Sequence, residues 1–234
     1  MRTRLGTPRV HHRRTDSTND RARVLAGAGA PHGTLVTAAE QQAGRGRQGR
    51  TWTAPAGRAL LMSLVLREWP PLLPIAGAVA VADVAALGGH QITIKWPNDV
   101  LLDGRKVAGV LGEGRAQEGW AVLGIGLNVA VRAQDLPAEL REHAATLGLQ
   151  PGAVEPTLAR LLQALELRLA QPTAEMLAGY RARDALAGRE VRWEHGAGIA
   201  RGVDDRGRLL VELADGSDVA LDAGEVHLQR AAPG

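Results

Sequence analysis

The segment Gln41-Gln42-Ala43-Gly44-Arg45-Gly46-Arg47-Gln48-Gly49-Arg50-Thr51-Trp52 sets three guanidinium groups on a glycine-rich backbone. Glycine lets a main chain approach a ligand and close over it, and Arg presents a planar fork of donors to carboxylate or phosphate oxygens. The stretch therefore reads as a clamp for an anion. An Arg-rich run is ordinarily a solvated loop, but a mobile loop has no use for a large apolar anchor such as Trp52. Gly44, Gly46 and Gly49 also spell G-x-G-x-x-G, which in a dinucleotide-binding fold must open a helix. Here Pro55 and Gly57 lead into a strand instead, so that reading is set aside.

Two further segments could share the chemistry. Lys95-Trp96-Pro97-Asn98-Asp99 ends a strand and puts a cation, an amide and a carboxylate at one sheet edge, which suits phosphate and magnesium chemistry. Lys106 follows a few residues on. Of the 28 Lys and Arg residues only Lys95 and Lys106 are lysines, so at these two positions a compact ammonium is wanted rather than a planar fork. The three Asn, Asn19, Asn98 and Asn128, fall in Asp16-Ser17-Thr18-Asn19, in the strand-end motif and in Gly124-Ile125-Gly126-Leu127-Asn128-Val129. Each has a bland alternative: Ser17 or Thr18 as a helix cap, Asp99 as a turn cap, the glycines as a tight strand passage.

The elements that must position these groups are legible in outline. Asp16 to Asp20 opens a helix running to Ala28, with Ser17 and Asp20 spaced as a capping box. Strands are expected over 34–39, 60–66, 92–96 and 120–129, and a buried Ala/Val-rich helix over 75–87. Asp103-Gly104 joins strands 100–102 and 106–111 in a hairpin. Helices follow over 155–170 and 174–183. After Gly188 short alternating strands, separated by His195-Gly196, Arg206-Gly207 and Asp215-Gly216, suggest a small barrel. The expected division is residues 1–186 and 187–234, with the boundary near Leu186 to Arg189.

Composition narrows the class. A chain of 234 residues that is 45% hydrophobic can bury a sizeable core. Without Cys there is no disulfide framework, thiolate metal site or cysteine nucleophile, in keeping with a reducing cytoplasm. No apolar run of signal-peptide length follows the basic start, Met1 to Arg14, and no later stretch could span a bilayer. The seven His show no metal-ligand spacing, so no structural metal is expected. A net charge of +3 with 3% aromatic residues supplies a nucleic-acid surface poorly, since such surfaces need stacking platforms beside their cations.

Taken in order, D-S-T-N at 16–19, G-R-G-R-x-G-R-x-W at 44–52, K-W-P-N-D at 95–99, Lys106-x-x-Gly109-x-Leu111-x-Glu113 and G-x-G-x-N-V at 124–129 resemble the biotin protein ligases. The match is dense over residues 10 to 130 and looser beyond. The resemblance implies an α+β fold: a catalytic mixed β-sheet flanked by helices, of the class II aminoacyl-tRNA synthetase-like biotin/lipoate-ligase type, plus a small C-terminal barrel like Src-homology-3 domains. It implies ATP-dependent formation of biotinyl-adenylate with magnesium, and transfer of biotin to a lysine of a biotin carboxyl carrier protein, the biotin-accepting part of carboxylases such as acetyl-CoA carboxylase.

Carried over residue by residue, Ser17, Thr18, Asn19, Gln41, Arg45, Gly46, Arg47, Lys106 and Gly109 are expected on biotin. Arg47, Arg50, Trp52, Lys95, Asn98, Lys106 and Asn128 are expected on ATP or the adenylate, and Arg47, Lys95, Lys106 and Asp99 at the reacting centre. Asp99, the one carboxylate in its motif, is expected to orient the incoming amine or take its proton. The 16 residues before Ser17 have room for one strand but not for two helices, so the DNA-binding extension of some members is not expected, nor is a nucleic-acid or membrane partner. A homodimer through a sheet edge stays open. Gly112 is smaller than the family pattern suggests. A lipoate or octanoate ligase is the nearest alternative, and the tight glycine–arginine loop favours biotin.

Overall fold

The computed structural model describes residues 4–222 and 226–228; residues 223–225 and 229–234 of the expected C-terminal unit lie outside the described residues. Strands β1 (Arg9–His12), β2 (Leu35–Ala38), β3 (Ala59–Leu66), β4 (Ile92–Lys95), β5 (Asp99–Leu102), β6 (Arg105–Arg115) and β7 (Trp120–Asn128) form one sheet in the order β1-β2-β3-β7-β6-β5-β4. The β1–β2 pair is parallel and every other pair antiparallel, so the sheet is mixed, as expected. Helices α1 (Thr18–Gly27), α2 (Leu73–Ala85), α3 (Ala138–Arg141), α4 (Val154–Ala170) and α5 (Thr173–Arg181) flank it.

Strand alternation divides the labour between the two faces. In β7, Ala121, Leu123, Ile125 and Leu127 point into the main core together with Leu60, Met62, Leu64 and Leu66 of β3. α2, α4 and α5 cover that face, and α2 is buried along nearly its whole length. On the other face Trp120, Val122 and Val65 pack against Ala22 and Ala26 of α1, which leaves Ser63, Gly124 and Gly126 as a floor beside the helix. Gly112 has a packing reason: a Cβ there would come within 3.0 Å of Pro74 at the start of α2. The Asp103-Gly104 turn takes φ of 49° and 77°, the paired left-handed geometry of a two-residue hairpin.

Two local expectations change. Ser17 stands at the N-cap of α1 without a side-chain capping bond. Gln41 reaches over from the loop after β2 instead, its Oε1 accepting from Thr18 N at 2.7 Å. The capping box does not form because arginines draw the Asp20 carboxylate outward, Arg45 at 2.7 Å and Arg23 at 3.5 Å.

After the helices, β8 (Glu190–Trp193), β9 (Gly196–Val203), β10 (Leu209–Glu212), β11 (Asp218–Leu221) and β12 (His227–Leu228) make a second, antiparallel sheet in the order β11-β10-β9-β8-β12. The two-residue β12 and the one-turn α3 are too short to show a periodicity in sequence. This sheet docks onto the first: the Trp96 indole donates to the Gly207 carbonyl at 2.9 Å across a buried contact, and Arg181 donates to Val203 O and to Asp205. Among the described residues no helix is long and apolar enough to cross a membrane.

Candidate functional site

A cleft of about 910 Å³, counting its open mouth, lies over the sheet between α1, the 41–52 loop and the ends of β4 to β7. Its lining includes Ser17, Thr18, Asn19, Gln41, Arg45, Gly46, Arg47, Arg50, Trp52, Lys95, Asn98, Asp99, Lys106 and Gly109, all residues singled out from sequence. Asn128 is the exception. It continues the cleft face of β7 but does not line the cleft; it is buried, and its Nδ2 donates to Ala145 O at 2.9 Å.

The floor is built by register. Lys95 pairs with Asp99, Asp99 with Gly109, and Gly109 with Gly126, a single row crossing β4, β5, β6 and β7. The two glycines leave room for Trp52: a Cβ at Gly126 would lie 2.4 Å from its ring, and one at Gly109 3.3 Å from it. The indole is thus an anchor that lays the Arg loop on the sheet. Lys106 reaches this row through a bulge. The β5–β6 register slips between Val100 and Leu101, and an extra residue in a strand re-aims the side chains beyond it. Lys106 Cε accordingly runs past Gly109, 3.3 Å from where its Cβ would be.

The cations converge on Asp99. Lys106 Nζ lies 2.7 Å from Asp99 Oδ1 and 5.7 Å from the Trp52 ring centroid. Asp99 is therefore not a turn cap; it opens β5 and holds Lys106. Burial is the largest influence on Lys95 and pulls its pKa below the usual lysine value; Asp99 works against this, while Lys106 and Arg50 add to it. Burial also lowers Arg47, again opposed by Asp99. Several positive groups converging on one place is the arrangement that stabilises charge developing on phosphorus oxygens. Asn98 is fixed by donating to Val110 O and accepts from Arg47 at 3.2 Å, so it aims that guanidinium.

At the other end Thr18 and Asn19 are buried polar groups in a network. Thr18 Oγ1 donates to Gln41 Oε1 at 3.0 Å, Ser63 Oγ donates to Asn19 Oδ1 at 2.6 Å, and Asn19 Nδ2 donates to Glu113 Oε2 at 2.8 Å. Gly124 is the space Asn19 occupies, since a Cβ there would lie 1.9 Å from Asn19 Oδ1. Arg45 departs from expectation in its contacts: it lines the cleft, yet its guanidinium is held by Asp20 at 2.7 Å and Glu113 at 2.9 Å.

Sequence reasoning missed Ser63, whose β3 neighbours are all apolar, and left Glu113 without a role although it ends a quoted motif. It also missed Val226, which lines the cleft from beside β12. His227 is felt there too: burial lowers its pKa first, and Lys95 and Arg50 lower it further. No local pattern marks a strand of two residues as part of a cleft built a hundred residues earlier. Trp52 Nε1 and Asn128 Oδ1 are buried with no hydrogen-bond partner among the described residues, a donor and an acceptor on the nucleotide side of the expected site. No trio of His, Cys, Asp or Glu is grouped to hold a metal among the described residues.

Comparison with known proteins agrees with this geometry. Residues 12–129 match the model of the biotin/lipoate A/B protein ligase family, and residues 188–228 that of the biotin protein ligase C-terminal domain. The chain is 37% identical to the biotin–[acetyl-CoA-carboxylase] ligase of Mycobacterium tuberculosis, over 92% of this chain and 87% of that protein. It is 38% identical to the bifunctional ligase/repressor BirA of Bacillus subtilis over 63% of this chain, spanning about half (48%) of that relative's length. Among solved structures, biotin protein ligase from Aquifex aeolicus in complex with biotin and ATP superposes with a TM-score of 0.81 at 27% identity, covering 96% of this chain and 100% of that one.

Proposed function

Given that the chain belongs to the biotin/lipoate A/B protein ligase family, and within it to the biotin protein ligases, we propose that it condenses biotin with ATP and passes the biotinyl group to a carrier lysine. The observation that carries this is the gathering of Arg47, Lys95 and Lys106 in one cleft with Asn98 and Asp99, beside the polar recess of Ser17, Thr18, Asn19 and Gln41.

The recess takes the polar ring of biotin, with Gly46 and Gly109 allowing close approach, and its carboxylate points toward Lys106. A carboxylate oxygen attacks the α-phosphorus of ATP and pyrophosphate leaves. Two anions must be held together for this, so proximity and a fixed positive field do the work and no covalent enzyme intermediate is needed. Arg47, Lys95 and Lys106 supply the field; Arg50, Trp52 and Asn98 serve the nucleotide, Trp52 Nε1, without a partner among the described residues, fitting a ligand with its own acceptors.

The donor set fits a magnesium ion carried on the triphosphate rather than a resident one, with Asp99 the one carboxylate in the lining among the described residues. Asp99 and the phosphate oxygens would hold it, and it would neutralise phosphate charge. In the second half-reaction the carrier amine attacks the anhydride carbonyl and AMP departs; Asp99 orients that amine or takes its proton. The carrier is the biotin-accepting domain of a carboxylase, acetyl-CoA carboxylase being the one named for the mycobacterial relative. A cytoplasmic setting suits a chain without cysteine, and residues 187–234 act as a separate C-terminal unit whose edge completes the cleft.

ATP–pyrophosphate exchange with the purified protein tests the reading, using biotin, lipoate and octanoate in turn as the acid. Exchange with biotin and not the others is expected. Exchange with lipoate alone would overturn the substrate assignment.

A further inference from the structure

Arg45 and Asn19 lie on different elements and carry different expected tasks, yet one side chain holds both. Glu113 Oε1 forms an ion pair with Arg45 Nη2 at 2.9 Å, and its Oε2 accepts from Asn19 Nδ2 at 2.8 Å. Asn19 is 4% exposed, and its Oδ1 is fixed by Ser63 Oγ at 2.6 Å, so its amide has one orientation in the recess. Arg45 is also bound to Asp20 of α1. Its charge is thereby balanced by two carboxylates, which suits a fastening better than an anion clamp. Arg47 instead donates to a neutral amide, Asn98, and lines the cleft.

We propose that Glu113 is a positioning residue that ties closure of the glycine–arginine loop to the organisation of the acid-binding recess, one carboxylate oxygen latching Arg45 and the other setting the Asn19 amide. This rests on the proposed reading of the recess as the biotin site. The chemistry requires a carboxylate. Both partners of Glu113 are donors, and an ionised carboxylate accepts at both oxygens. Glutamine has one acceptor oxygen, so Glu113→Gln must turn an N–H toward Arg45 or Asn19. Aspartate keeps both acceptors but is one methylene short of spanning the two. Ser63 touches Asn19 and not Arg45, so it affects the recess without the latch.

The test pairs steady-state exchange with limited trypsin digestion, which reads loop opening by cleavage after Arg47 and Arg50 and needs no activity. Glu113→Gln is expected to raise KM for biotin about 10-fold or more with kcat within about threefold, the loss of one charged hydrogen bond, and to speed loop cleavage several-fold in the free enzyme. Ser63→Ala should raise KM without faster cleavage. Arg45→Gln should speed cleavage at least as much as Glu113→Gln, and the double variant no further, because the two residues form one contact.

Unchanged cleavage in Glu113→Gln, additive cleavage in the double variant, or a fall in kcat at unchanged KM would each overturn the proposal. Should Glu113→Gln fold poorly, seen as cleavage throughout the chain, Arg45→Gln decides alone: cleavage at the wild-type rate overturns the latch. Wild-type enzyme that fails to exchange with biotin sinks the functional reading, while the digestion still reports on the latch.

Discussion

Replacing Gly124 by Ala adds one methyl group where the structure leaves no room for it. Its Cβ would lie 1.9 Å from Asn19 Oδ1 and 2.8 Å from Asn19 Cγ, and real Cβ atoms essentially never come within 3.0 Å of a neighbour. Gly124 has no left-handed φ, so the strand itself accepts Ala. Asn19 must then retreat by at least about 1 Å, which breaks its bonds to Ser63 (2.6 Å) and Glu113 (2.8 Å). Each is worth about 1 kcal/mol net, and a buried polar group left unpaired costs about 1–3 kcal/mol. The recess should therefore lose roughly 2–4 kcal/mol of acid binding, about 30- to 700-fold in KM. Exchange measured against biotin concentration reads this directly, with KM for ATP as the internal reference. Wild-type KM for biotin in a folded G124A enzyme would refute the placing of the acid at Asn19; equal losses in both KM values would show that the recess is not separate from the nucleotide side.

Lys95→Met should lower exchange about 10²- to 10³-fold, the cost of one charge-stabilising donor, and yet raise stability at neutral pH. The fold depresses the Lys95 pKa chiefly by burial, so native protein loses this proton first as pH rises and the unfolded chain binds more protons. Stability of the wild type then climbs between the folded value and the unfolded one near 10.4, and its deficit against the variant shrinks there; urea unfolding at pH 7 and near pH 10 checks the sign. Asp99→Asn should slow transfer from preformed adenylate by about 10²-fold or more and adenylate formation by less, measured in single turnovers; equal slowing of both steps would remove Asp99 from amine activation. Trp96→Phe deletes the buried bond to the Gly207 carbonyl and should cost about 1–3 kcal/mol, seen as a lowered urea midpoint.

Most of the sheet strands and main helices could be read from periodicity because each buries whole faces. β3 and β7 are continuous apolar runs bounded by turn residues, α2 is an Ala/Val stretch without a breaker, and Asp103-Gly104 marks its hairpin by the φ values only such residues adopt cheaply. The cleft residues were legible for a different reason. In a chain that uses Arg for nearly every cation and has three Asn, the lysines, amides and glycines that remain sit where chemistry or space demands them. Sequence alone thus determined the elements and the types of group that act.

It did not determine how those groups meet, because pairing across strands and bulges depends on contacts between residues far apart in the chain. The slip between Val100 and Leu101 brings Lys106 over Gly109 and onto Asp99. The row through Gly109 and Gly126 seats Trp52. Arg45, read as an anion clamp, is held by Asp20 and Glu113, and Val226 closes the cleft from the far end of the chain. Each is a matter of register or long-range charge balance, where a shift of one residue would turn the side chain to the other face of the sheet.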